Sequence, residues 1–338
     1  MSGLCNASPR EAPTISGVQD LLNQILTEKN ILEAAGEVEM FFRGHSSTTY
    51  EMEAGIFRKR GHKINETEML YSIEAEAPSE FTSDRLTFDK LVRAQHYGLR
   101  TRLLDITTNP LIALYFASAP EPDNSPNSKD GHIHILKLRR PEIKYFASDT
   151  VSCIANLAYL SHGEKQDLIS NFEYLIKDLF SKLYENNNVD LDNSQHAPIN
   201  IIRAARNDKR LYNTLIQRFN DHSATQRLVQ CIRVEKPHFT NQIDPADIIT
   251  PTITLPRKSN ARIAAQAGAF ITYGLRSFFD TSKISSMPEG HVKLVVSKDY
   301  KEKIRRELAT LGIDAGTVYP ELSFTAEKIN QRFEYVPP

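Results

Sequence analysis

The chain has few cysteines, no sustained apolar run and almost no net charge. Its three thiols, Cys5, Cys153 and Cys231, are scattered without CxxC spacing, which argues against a disulfide framework and against a cysteine-based zinc site. No apolar stretch approaches the roughly 20 residues that span a bilayer. The polar opening MSGLCNASPREAPTISG contains no apolar core of a signal peptide. These absences point to a cytoplasmic protein with no membrane partner. A formal net charge of -1 removes a general electrostatic grip on nucleic acid, while leaving room for a local basic face. Familiar chemical signatures are missing as well: no Walker A lysine loop, no GxGxxG after a strand, no GxSxG elbow and no HExxH. Cys153 and Cys231 lack a nearby activating histidine in sequence, so a thiol nucleophile is a weak candidate. No internal repeat is present.

What remains is a chain of 338 residues with 40% hydrophobic and 25% charged residues, the composition of a globular protein of one large or two ordinary domains. Ser16 can cap a helix running to about Ala35, so residues 1–37 read as an N-terminal helical segment after a loose start. Val38–His45 reads as a short buried strand. Residues 64–94 read as helical with a break at Pro78, and 120–131 as a turn-rich surface loop. His132–Leu138 has the pattern of a strand. His132 and His134 share one face of it, yet no third ligand follows at useful spacing, so a structural role outweighs metal binding. Apolar residues from Leu168 to Leu183 recur at helical spacing up to Asn186, Asn187 and Asn188. A second helical stretch, 199–233, carries Arg203, Arg206, Lys209, Arg210, Arg218, Arg227 and Arg233. It reads as a solvated face, or alternatively as a patch for RNA. Pro237–Pro256 reads as irregular or short edge strand. Strands at Ala269–Thr272 and Val292–Val296, a helix from Asp299 to Leu311 and a final short helix complete an α+β chain. The expected layout is a core in two parts, 38–141 and 236–338, around a helical insertion at 142–235.

Three short segments carry the unusual polar residues. Arg43 ends an apolar strand, where an unpaired guanidinium would be costly, so it needs an acidic or phosphate partner. In LVRAQHYGLRTRLLDITTNPLIALYFASA (91–119), Arg102–Asp105 reads as a strand ending in the turn Ile106-Thr107-Thr108. Asn109 then caps an apolar helix with Pro110 at its first position. This sets Asp105, Thr107 and Thr108 at a strand-to-helix mouth, beside free N–H groups that favour anions. In NARIAAQAGAFITY (260–273), Arg262 and Gln266 lie four apart on one helical face. Each segment abuts a strand end, which suggests one shared pocket built from Arg43, His96, Tyr97, Arg102, Asp105, Thr107, Arg262 and Gln266. In such a pocket arginines would hold a diphosphate, Tyr97 would stack on a heterocycle, and amide or carboxylate groups would hold a ribose. The competing reading is that these groups pair with one another and only lock the fold.

FFRGH (41–45), AQHYGLRTRLLDITTNPLIALYFA (94–117) and RIAAQAGAFITY (262–273) together resemble the FRG domain family, named for its Phe-Arg-Gly signature, over about residues 38–330. His45, Arg100 and Ile106 stand where that family often has Gln, Pro and Trp. A second similarity is to the ADP-ribosyltransferase plan, and it implies a mixed or antiparallel β core with NAD as the substrate. Under that resemblance Arg43 holds NAD phosphate or ribose and the 101–107 segment shapes the nicotinamide pocket. Gln266 takes the place of the glutamate that binds the ribose hydroxyl, with Asp105 as the alternative source of negative charge. Arg43, Asp105 and Gln266 are then the catalytic candidates, and Arg43, His96, Tyr97, Arg102, Thr107 and Arg262 the cofactor-binding ones, with no metal. The implied activity is transfer of ADP-ribose to RNA or protein, as a toxin in bacterial anti-phage defence with an antitoxin or other regulatory partner. Two other readings stay open: a nucleotide-sensing domain without catalysis, and a nuclease-like hydrolase.

Overall fold

The structure, a computed structural model, describes residues 12–33, 37–120, 129–184, 197–240, 242–276 and 290–321. Residues 1–11 of the start expected to be loose over 1–16, Cys5, most of the 120–131 loop, the helix stop at Asn186–Asn188 and the final short helix all lie outside the described residues, whereas Thr14–Ile15 of that start form a strand paired with Val295 and Val296.

A short strand β1 (Thr14–Ile15) leads into helix α1 (Val18–Glu33) and then strand β2 (Val38–His45). Helices α2 (Arg60–Ile64), α3 (Glu66–Glu76), α4 (Pro78–Phe81) and α5 (Thr87–His96) follow. Pro78 sits at the first position of α4, where its missing N–H is harmless; the proline starts a new helix rather than kinking an old one. Strand β3 (Leu103–Thr107), helix α6 (Pro110–Ala117), strand β4 (Gly131–Arg139) and strand β5 (Ile143–Tyr145) come next. Helices α7 (Asp149–Asn156), α8 (His162–Tyr184), α9 (Ala197–Ala205), α10 (Lys209–Asn220), α11 (Ser223–Glu235) and α12 (Pro245–Ile249) fill the middle of the chain. The basic stretch read as one helical segment is therefore three helices, cut where Asp208 and His222 cap new N-termini. Strand β6 (Thr252–Leu255), helix α13 (Ala261–Ala265), strand β7 (Gly268–Thr272) and strand β8 (His291–Val296) complete the sheet, and a helix Lys301–Thr310 packs behind it.

All eight strands form one mixed sheet in the order β1-β8-β4-β2-β3-β7-β6-β5. The β1–β8 and β5–β6 pairs are parallel and the others antiparallel, so the chain is mixed α+β. Two sequence expectations shift here. Ile106 and Thr107 are strand and not turn, because β7 pairs with them through Ala269 and Gly268. The segment expected to be irregular or an edge supplies β6, an interior strand between β5 and β7. Pro251 and Pro256 flank it, so neither removes a ladder N–H.

One face of the sheet carries Phe42, Ile133, Ile135 and Leu294 against α6, α1 and the helix Lys301–Thr310. The other carries Phe41, Leu104, Ile106, Leu136 and Ile271. Helices α7–α12 build a separate apolar core around Phe172, Phe219, Leu228 and Ile232. The two regions are tied by a buried ion cluster. Glu66 on α3 accepts from Arg102 Nε at 2.9 Å and Nη2 at 2.5 Å, and from Lys165 Nζ of α8 at 2.8 Å. Among the described residues no helix is long and apolar enough to cross a membrane.

Candidate functional site

Strand β2 runs beside β4 over its whole length, but it meets β3 at a single registered pair, Phe42 and Thr107. Beyond that bridge a cavity of about 170 Å³ opens between the two strands, lined by Phe42, Arg43, Gly44, Asp105, Ile106, Thr107, Phe116, Arg262 and Gln266. A smaller cavity of about 90 Å³ adjoins it, sharing Asp105, Arg262 and Gln266 and adding Gln95, His96, Asn260 and Phe270 among its walls. The three sequence segments thus meet in one place, because β2, β3 and β7 are neighbours in the sheet.

Arg43 is held at two points. Its Nε donates to His45 Nε2 at 2.8 Å and its Nη1 donates to the Asp105 carbonyl. Burial pulls its pKa below the ordinary guanidinium value, with the Asp105 charge acting in the other direction. No described residue takes Nη2, which leaves a donor for a ligand. His45 must be the neutral tautomer protonated at Nδ1, since its Nε2 accepts. Burial and the adjacent Arg43 charge push its pKa down to about 3, which keeps that arrangement at neutral pH.

Asp105 is oriented from α5. Gln95 Nε2 donates to its Oδ2 at 2.9 Å, and Thr101 Oγ1 fixes the amide by donating to Gln95 Oε1 at 2.5 Å. Oδ1 has no hydrogen-bond partner among the described residues. The Thr107 hydroxyl is used inside the protein: it donates to the Gln266 carbonyl at 2.7 Å and accepts from Asn109 N–H at 2.9 Å. Asn109 caps α6, its side chain accepting from Leu111 N–H at 2.9 Å.

Gln266 ends α13, and its Nε2 donates to the Val318 carbonyl at 3.1 Å, which leaves Oε1 for the cavity. The next residue, Ala267, has φ 46° and is the only non-glycine with positive φ among the described residues. Its carbonyl accepts from Thr108 N–H at 3.1 Å. The end of β3 therefore clasps this helix-to-strand joint and holds a conformation that L-residues avoid. Arg262 lies over the Tyr319 ring, 4.8 Å from its centroid, and 4.0 Å from Glu321.

Two expected residues fall elsewhere. Arg102 is 1% exposed and lines neither cavity; beyond Glu66 its Nη1 donates to the carbonyls of Tyr273 and Gly274 at 2.9 and 3.0 Å. Every nitrogen of that guanidinium is taken, so it locks the fold and has nothing left to offer a phosphate. Its partners arrive from α3 and from the residues just after β7, which a local reading cannot see. Tyr97 is 55% exposed, donates to Glu80 at 2.6 Å and lies outside the larger cavity. The aromatic walls there are Phe42 and Phe116 instead. His96 faces only the smaller cavity.

Several contributors went unnamed in the sequence. His45 was detectable, since residues two apart on a strand share a face. Gln95 sits inside the quoted AQHYG motif but needs Asp105 beside it to acquire meaning. Gly44 has a steric reason: a Cβ there would lie 1.8 Å from the Ala113 carbonyl of α6.

Residues 38–125 match the family model described as the FRG domain. Over these residues the chain is similar to the FRG domain. No curated protein and no solved structure matches the chain. The matched FRG span holds Arg43, His96, Asp105 and Thr107, while Arg262 and Gln266 reach the site from beyond it. The resemblance read over 38–330 is thus matched over its first part.

Other chemistries gain little from the structure around the FRG site. Burial pushes both the Cys153 and Cys231 thiols up, away from thiolate chemistry. His132 and His134 are joined by His45 and by His291, whose Nε2 lies 2.9 Å from His134 Nδ1. Even so, among the described residues no three His, Cys, Asp or Glu side chains come together to hold a metal. The basic helices are partly neutralised. Arg206 pairs with Asp244 at 2.7 Å, Arg227 with Glu164 at 3.5 Å, and Arg218 with Asp178.

Proposed function

We propose that the FRG site binds NAD, breaks its nicotinamide–ribose bond and transfers ADP-ribose to a macromolecular acceptor. The observation that carries this reading is the convergence of Arg43, Asp105 and Gln266 on one cavity, each with a polar atom left over by the protein. Arg43 supplies a fixed cationic donor for a phosphate or ribose oxygen. Asp105 supplies the negative charge that a developing positive centre at the ribose carbon needs, and Gln95 fixes its direction. Gln266 Oε1 can accept a ribose hydroxyl. Arg43 on β2, Asp105 on β3 and Gln266 just before β7, with the three strands adjacent in the sheet, also support the ADP-ribosyltransferase plan of an arginine strand, a Ser/Thr strand and a late polar residue before a strand. That is an argument from fold analogy.

A cavity of about 170 Å³ is smaller than the roughly 300–1,000 Å³ of ordinary small-molecule pockets. It therefore suits the nicotinamide–ribose end, with the adenosine end outside it. The test is nicotinamide release by wild type, Arg43→Ala and Asp105→Ala. Each substitution should lower turnover by about 100-fold or more, the scale seen when one electrostatic contact to a transition state is lost. No NAD turnover by wild type in any cellular extract would remove the reading.

The neutral side chain of Gln266 favours one alternative, a nucleotide-sensing domain without catalysis. It predicts a thermal shift with NAD or ADP-ribose, through mass action, and no product. A toxin role in anti-phage defence, with an antitoxin as partner, rests on the resemblance alone.

A further inference from the structure

The larger cavity accounts for one reactant, yet the cleft has two chambers with a common wall. Asp105, Arg262 and Gln266 face both. Beyond the shared Arg262 the smaller chamber adds no lysine or arginine. Its additional polar walls are the amide of Gln95, the imidazole of His96 and the amide of Asn260, set against Val92, Ile263 and Phe270. At about 90 Å³ it admits a functional group and not a second cofactor. A hydrogen-bonding pocket beside a carboxylate that also faces the donor chamber is where a nucleophile would enter.

Building on the NAD reading, we infer that the smaller chamber receives the acceptor, and that the acceptor is the exposed edge of a nucleobase in single-stranded nucleic acid. Gln95 is hydrogen-bonded to Asp105 and Thr101, and Asn260 Oδ1 caps α13 by accepting from Ile263 N–H at 2.8 Å; their remaining N–H donors match the acceptor atoms of a base edge. Beside the chamber stands an aromatic step: Tyr97 is 55% exposed and meets the His96 ring edge-to-face at 5.3 Å. Unpaired bases stack on such exposed rings. Tyr97 is thereby given a role outside the cavity in which the sequence pattern had placed it.

The transfer balances with the groups present. The bond between the nicotinamide nitrogen and the ribose carbon breaks, and its electron pair leaves with nicotinamide. A bond forms from an N–H nitrogen of the base to that carbon. The displaced proton passes to Asp105, whose Oδ2 is held by Gln95 and whose Oδ1 has no partner among the described residues, and from there to solvent.

His96 is half-buried and its side chain makes no hydrogen bond among the described residues, so replacing it should spare the fold. The experiment supplies labelled NAD with single-stranded RNA and DNA oligonucleotides and, separately, with protein extract. It reads ADP-ribose incorporated per nicotinamide released. Wild type should label an oligonucleotide. His96→Ala, which empties the chamber, and His96→Trp, which fills it, should each lower the ratio about tenfold or more. Tyr97→Ala should raise KM for the oligonucleotide about tenfold, the scale of one lost base stack, with a smaller effect on kcat. Label found only in protein, or a ratio unchanged in both His96 variants, would overturn the inference while leaving the NAD chemistry standing. A wild type that releases no nicotinamide overturns the underlying reading instead.

Discussion

Arg43 Nε donates to His45 Nε2 at 2.8 Å, so the catalytic candidate of the FRG motif is aimed by the residue two places further along the same strand. The pair works only while the imidazole stays neutral, and burial together with the Arg43 charge ensures that by pushing His45 down to about 3. His45→Gln keeps an acceptor oxygen at similar reach, whereas His45→Leu keeps the volume and removes the acceptor. A lost hydrogen bond to a charged group costs about 1.5–3 kcal/mol. ADP-ribose affinity measured by calorimetry should therefore fall roughly 10- to 100-fold in His45→Leu and stay near wild type in His45→Gln. Equal loss in both variants would mean that His45 only fills space.

Gly44 is set by packing rather than by backbone freedom. A methyl group there would overlap the Ala113 carbonyl at 1.8 Å and the Ala117 nitrogen at 2.7 Å, and backbone atoms of a buried helix cannot swing aside. Gly131 on the neighbouring strand meets the same helix, its Cβ position 2.3 Å from the Ala117 carbonyl. Gly44→Ala should force α6 away from β2 and cost about 3 kcal/mol, at the upper end of ordinary overpacking. A urea midpoint unchanged from wild type would show that the helix can slide without penalty.

The Glu66–Arg102–Lys165 cluster makes a prediction with a pH sign. Burial alone would raise the Glu66 pKa, but Arg102 and Lys165 outweigh it and hold the carboxyl below its ordinary value of 4.5. The folded-state pKa is thus below the unfolded one. Stability from this charge is fully present above about pH 4.5 and is lost as the pH falls through the folded value. Glu66→Gln leaves two cations buried without their counter-charge, and removing one partner of a buried ion pair costs about 3–5 kcal/mol. Denaturation at pH 7 and pH 4 should show a large loss at neutral pH and a smaller acid-induced drop in the variant than in wild type. A variant with wild-type stability at pH 7 would contradict the ion-cluster account.

Local pattern was enough for the site-bearing elements taken singly. The apolar run Val38–His45 is a strand, Asn109-Pro110 starts a helix, and Arg262 and Gln266 lie on one turn, since alternation, capping and helical spacing act between residues close in the chain. Reach across the chain was beyond such reasoning. Arg102 and Arg43 look alike in sequence, each an arginine beside an apolar strand. Only the arrival of Glu66 from α3 and of the Tyr273 and Gly274 carbonyls makes one a lock, and only the parting of β2 from β3 makes the other a cavity wall. β3 itself extends two residues further than its sequence suggests, because β7 offers it hydrogen-bond partners.

The sequence by itself determined which residues could carry chemistry and where some of the site-bearing strands and helices begin. The tertiary structure decided which of those residues still have an unpaired polar atom, because that depends on partners brought in from other elements of the chain. Sheet order, with β2, β3 and β7 side by side, turns three separate motifs into one cleft. Such order is set by global packing, which no local pattern encodes.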